Sequence, residues 1–192
     1  MSRISRLAAD RRGIAAAEFA LVAPVLMLLV LGTTDMVTWM RTWLQVTRAA
    51  SEVGQIIGQY TQLHESDFTG TFYPIAENIA GSVAVQCGPK NAPLGNVVIS
   101  GITTASGKST VTWQRGGTCI TSQIGQQGKP ATLPTGYVPP DGSAVVVVEV
   151  WAAQSAFVLS KAPMFMNGSG PSLIRSYAVV TMRNGALPSV QP

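Results

Sequence analysis

Residues 12–34 read RGIAAAEFALVAPVLMLLVLGTT, and this stretch determines where the rest of the chain is placed. From position 14 to position 34 it carries a single charge, Glu18, close to its beginning. An α-helix rises about 1.5 Å per residue, so these positions extend roughly 30 Å, the thickness of one hydrocarbon core. The sequence therefore predicts one membrane-spanning helix over residues 14–34.

The basic residues in front of this stretch predict its orientation. They are Arg3, Arg6, Arg11 and Arg12. Lys and Arg collect at the cytoplasmic end of membrane helices much more often than at the other end. We therefore expect a cytoplasmic N-terminus and export of the chain that follows Thr34.

Glu18 is the unusual residue of the apolar stretch. A carboxylate costs about 2.5–3.5 kcal/mol at the centre of a membrane helix, and less near an end, so a charge partner is expected. A cut after Gly13 would leave Ile14 with a cationic α-amino group four residues before Glu18. We therefore predict a processing site at Gly13 and Ile14, and an assembly role for Glu18 and the adjacent Phe19.

The order of these features resembles the class III signal of type IV prepilins. More narrowly, residues 11–32, RRGIAAAEFALVAPVLMLLVLG, resemble the TadE/TadG-type pseudopilins of Flp (tight adherence) pilus systems. Pro24 and Gly32 match positions that recur in that family, whereas Ile14 departs from the Phe of the best-known type IV pilins.

The resemblance implies cleavage by a prepilin peptidase after Gly13. It also implies a single-pass protein of the bacterial inner membrane with a periplasmic C-terminal domain, which could enter an extracellular pilus. The expected partners are the peptidase, other pilins or pseudopilins, inner-membrane pilus assembly proteins and membrane lipid.

Two other interpretations of the N-terminus remain open. The segment could be an uncleaved signal anchor that carries a binding module or adhesin. It could also be a secretory signal cut near residues 30–32, although its small residues lie mostly before the apolar run. An intact N-terminus would favour the anchor.

Composition argues against nucleic-acid binding. The formal net charge is +4, but residues 1–13 hold four Arg and one Asp, so the remaining chain has 9 basic and 8 acidic side chains. Those charges form no basic run with interleaved aromatic residues. We therefore expect no nucleic-acid partner.

No recognisable catalytic, cofactor-binding or metal-binding motif occurs in the sequence. His64 is the only histidine and lies in the polar stretch QLHESD, so no His-dependent triad is evident. We expect neither enzymatic activity nor a cofactor. Cys87 and Cys119 predict one intramolecular disulfide in an exported domain, or two separate buried thiols.

Periodicity divides the chain into four parts and predicts an α+β fold. These parts are a basic leader (1–13), a transmembrane helix (14–34), its amphipathic continuation (35–62) and a periplasmic α+β head (63–192). The long helix should pack on a small antiparallel sheet of about four strands. Predicted head elements are a short helix at 67–80 and strands at 83–85, 97–99, 109–113, 144–152 and 173–183.

Several residues leave alternatives open. Trp39 and Trp43 suit either a membrane interface or the core of the head. Glu149, inside the run AVVVVEVWA, should face solvent or pair with a basic neighbour. Gly54 and Gly58 should weaken the end of the long helix, residues 118–143 should form a long Gly- and Pro-rich connection, and the tail from Asn184 should be loose.

Overall fold

The computed structural model describes residues 12–81, 95–116, 120–134, 137–154 and 172–192. The chain divides into two compact units. The described residues up to Thr38 belong to the first unit, and those from Trp39 onward belong to the second. The predicted strand at 83–85 and the two cysteines lie outside the described residues.

Helix α1 spans Arg12–Ile57, 46 residues with Pro24 inside. It is long and apolar enough to cross a membrane, and none of its most apolar window is buried within the protein. The prediction of a long N-terminal helix is confirmed. The apolar side chains of its first half are exposed because nothing in the described protein covers them.

The second half of α1 packs on a sheet. Its fully buried side chains are Val46, Ala49, Ala50, Val53 and Ile57. A Cβ added to Gly54 would lie 2.8 Å from Val180 Cγ2, and one added to Gly58 would lie 2.9 Å from Val180 Cγ1. The two glycines therefore let the helix approach the sheet closely, a role that the sequence analysis did not assign to them.

A short strand and a helical segment follow α1. Strand β1 spans Gln62–His64, and the helical segment consists of α2 (Glu65–Asp67), a π-helical turn (Phe68–Phe72) and α3 (Tyr73–Ala80). Pro74 lies in the first turn of α3, where a missing N–H breaks no helical hydrogen bond. The predicted short helix is therefore present and begins two residues earlier than expected.

Four antiparallel strands form the main sheet. They are β2 (Gly95–Ala105), β3 (Lys108–Gly116), β4 (Ala144–Gln154) and β5 (Ser172–Thr181), in the spatial order β3-β2-β4-β5. Ser106 and Gly107 close the β2–β3 hairpin with φ values of 52° and 70°. The predicted α+β class and the antiparallel sheet are confirmed.

Strand β4 is buried on both faces. On one face, Val146, Val148 and Val150 share a core with α1 and α3. On the other face, Val145 and Val147 share a second core with Ile102, Val111 and Ile124. The second core is completed by residues from the connection at 120–134, which explains why the valine run does not alternate with polar residues.

The C-terminal tail is paired rather than loose. Strand β6 spans Ser189–Gln191 and pairs in parallel with β1, with Leu63 opposite Val190. Leu63 is fully buried and Val190 packs against the same core. The expectation of a loose tail from Asn184 is wrong, because this short pairing ties the C-terminus to the segment that follows α1.

Candidate functional site

The predicted processing and assembly residues all lie at the start of α1. The helix begins at Arg12, so Gly13 and Ile14 are in its first turn. Glu18 follows Ile14 by four positions, which places the two residues on one face of the helix. A new amine at Ile14 and the carboxylate of Glu18 would therefore be neighbours along one helix, or across two helices packed side by side.

Glu18 is exposed on an otherwise apolar helix. Among the described residues, no ion pair includes this carboxylate. Phe19 beside it is 69% exposed. Other exposed apolar side chains in this half are Leu21, Val22, Val25, Leu26, Met27, Leu28, Leu29 and Val30. This surface can pack against lipid or against other apolar helices, and in either setting Glu18 needs a counter-charge.

The head contains a second charged site, buried beneath the connection at 120–134. Glu149 is fully buried. Its Oε1 accepts hydrogen bonds from Arg175 Nε at 2.9 Å and Nη2 at 2.7 Å, and from the backbone N–H of Gln123 at 3.2 Å. Ser122 Oγ donates to the other oxygen, Oε2. Of the two environments expected for Glu149, the structure has the paired one.

Two aromatic rings flank the arginine of this pair. The guanidinium carbon of Arg175 lies 5.4 Å from the centre of the Trp151 ring and 5.0 Å from that of Tyr177. Such contacts add to the stability of a partly desolvated cation. Arg175 was not singled out from the sequence, although an acid on one predicted strand and a base on the next were a usable signal.

An open cavity of about 250 Å³ lies beside this pair. It is lined by Gln123, Ile124, Thr132, Leu133, Pro134, Arg175 and Tyr177. Because Arg175 is already neutralised by Glu149, the cavity offers no free charge from that pair. Among the described residues, no group of three or more His, Cys, Asp or Glu side chains could hold a metal ion.

A third cluster joins the helical segment to the edge strand β3. Arg115 Nε donates to Glu65 Oε1 at 2.6 Å, and this hydrogen bond holds the pKa of Glu65 below its usual value. Burial raises the pKa of nearby Tyr73 to about 12, and the Glu65 carboxylate raises it further. The cluster ties β3 to the helical segment, and His64 beside it is exposed.

The comparisons with known proteins identify the N-terminal part. A family described as TadE-like protein matches residues 13–55, which include Gly13, Glu18, Phe19 and nearly all of α1. This confirms the resemblance to TadE/TadG-type proteins. The match ends before β1, so the main sheet lies outside it. No curated protein and no solved structure matches the chain.

Proposed function

We propose that this chain, with its TadE-like segment at residues 13–55, is a pseudopilin or minor pilin of a Flp/Tad-type pilus or a related secretion apparatus. The family match supports a role in Tad pilus assembly. The observation that carries the finer proposal is Glu18, an exposed carboxylate in an apolar helix, five positions after Gly13.

The proposed sequence of events begins with processing. A prepilin peptidase hydrolyses the peptide bond after Gly13, so that Gly13 becomes the C-terminus of the leader and Ile14 gains a protonated α-amine. In an assembled bundle of α1 helices, that amine pairs with Glu18 of the same or a neighbouring subunit. The pair matters because an unpartnered charge in dry surroundings is costly, and removing one member costs about 3–5 kcal/mol.

The apolar half of α1 stores the subunit before assembly. Its exposed side chains match the hydrocarbon of the inner membrane, and the arginines of the leader favour a cytoplasmic N-terminus. The head then lies in the periplasm. We also propose that the role is structural rather than enzymatic, and that it needs no cofactor.

The test separates insertion from assembly. Glu18→Ala should leave the amount of membrane-inserted protein unchanged and reduce the number of pili on the cell. Glu52→Ala is the matched control, because Glu52 also lies on α1 but is exposed and pairs only with Arg48, one turn earlier. Normal piliation of the Glu18 variant would contradict the assembly role.

The second candidate function is an uncleaved, membrane-anchored binding module or adhesin. It predicts that Glu18→Ala and Glu52→Ala behave alike, and that deletion of the gene leaves pilus assembly intact while binding is lost. Fewer pili on cells that lack the protein would exclude this candidate.

A further inference from the structure

The exposed apolar surface of α1 does not end at Thr34. It continues with Met36, Val37, Trp39, Met40, Trp43 and Leu44. Trp39 and Trp43 remain 43% and 41% exposed, and their rings stack at 6.5 Å with an interplanar angle of 7°. In contrast, Trp113 and Trp151 of the sheet are each only 7% exposed. The two helical tryptophans are therefore not core residues of the head.

The polar side chains just before Trp39 are satisfied within the protein. Thr33 Oγ1 donates to Leu29 O at 2.7 Å, and Thr34 Oγ1 donates to Val30 O at 2.9 Å. Thr38 Oγ1 donates to Asp35 O at 2.8 Å, and Asp35 itself is only 7% exposed. Hydroxyls bonded back to helix carbonyls, and ionisable groups turned away from lipid, are what a membrane environment requires.

We propose that Trp39 and Trp43 contact lipid headgroups at the outer surface of the membrane, and that the hydrocarbon core is spanned by residues 19–38. Twenty helical residues rise about 30 Å, which equals the core thickness. This span starts about five residues later than the charge pattern alone predicts. It places Glu18 at the cytoplasmic edge, where a carboxylate costs less than at the centre.

The amphipathic chemistry of the region fits a headgroup layer. Indole rings are enriched there because the apolar ring and its N–H suit the boundary between hydrocarbon and water. Arg41 is exposed at the same level of the helix and can bind lipid phosphates. The head begins directly afterwards, because Val46 is fully buried and Thr47 Oγ1 lies 3.1 Å from Ser176 Oγ of β5.

The test uses the full chain in phosphatidylcholine nanodiscs that hold one copy each, and it needs no processing at Gly13. Lipids brominated close to the headgroup should quench tryptophan fluorescence more than lipids brominated deep in the acyl chains. The double variant Trp39→Phe/Trp43→Phe should lose most of this quenching, because the remaining Trp113 and Trp151 are buried in the head.

Two results would overturn the proposal. If brominated lipids leave the wild-type fluorescence unchanged while aqueous iodide quenches it, the two tryptophans lie in water. If neither quencher acts on them, protein covers them. Recovery of the chain in the disc fraction checks insertion separately, so failure of the lipid contact is distinguishable from failure to enter a membrane.

Discussion

Arg175 donates two hydrogen bonds, at 2.9 and 2.7 Å, to one carboxylate oxygen of Glu149, while Ser122 Oγ donates to the other oxygen. The three residues come from β5, β4 and the connection at 120–134. This buried pair therefore joins the edge of the sheet to the segment that covers its second core.

Glu149→Gln should destabilise the head, because it leaves the Arg175 charge without its carboxylate. Breaking a buried ion pair typically costs about 3–5 kcal/mol, and we expect the free energy of unfolding to fall by an amount of that order. Urea unfolding of the detergent-solubilised chain measures the difference. Glu52→Gln is the control, since an exposed pair on a helix contributes only about 0.3–0.5 kcal/mol. Equal losses in the two variants would contradict the structural role of Glu149.

Gly54→Ala should also destabilise the head. Alanine favours a helix over glycine by about 1 kcal/mol, but the added methyl would lie 2.8 Å from Val180 Cγ2. Val180 is a β-branched side chain with little freedom to rotate, and overpacking costs about 1–3 kcal/mol. We expect a net loss of up to about 2 kcal/mol in the same unfolding assay.

Two further variants test the cause of that loss. Adding Val180→Ala to Gly54→Ala should cost less than the two single changes added together, because it removes the methyl that is in the way. Gly70→Ala should be nearly neutral, since a Cβ there meets nothing within 4 Å. Stability of Gly54→Ala equal to that of the wild type would show that the close approach is not needed.

Tyr73 should make the head less stable in alkali. Burial raises its pKa to about 12, above the ordinary value of 10.0, so the unfolded chain loses the phenolic proton first. The stabilisation is complete below pH 10 and is lost as pH rises through about 12. Tyr73→Phe has no such proton, so its unfolding free energy should fall less between about pH 9 and about pH 12. An identical decline in the two proteins would rule out this contribution.

The long helix and the central strands could be predicted from local pattern. An uninterrupted apolar run predicts α1, and the valine run predicts β4, because each signal lies within one segment of sequence. The environment of Glu149 could not be assigned in this way. Its partner comes from another strand, and its cover comes from a Gly- and Pro-rich connection that has no periodicity.

The same reason explains the remaining differences. The role of Gly54 depends on Val180, which is far along the chain and adjacent only after folding. Strand β6 has three residues and pairs with β1, so no local repeat marks it. In the assembly segment, by contrast, Gly13 and Glu18 are near neighbours in sequence, and their spacing alone predicted the processing hypothesis.

The most direct measurement is the N-terminal sequence and intact mass of the protein purified from membranes of cells that have the peptidase. The account predicts a mature chain that begins at Ile14, and a Gly13→Ala variant that keeps its leader. A wild-type protein that still begins at Met1 would remove the amine that Glu18 is proposed to bind, and would contradict the account.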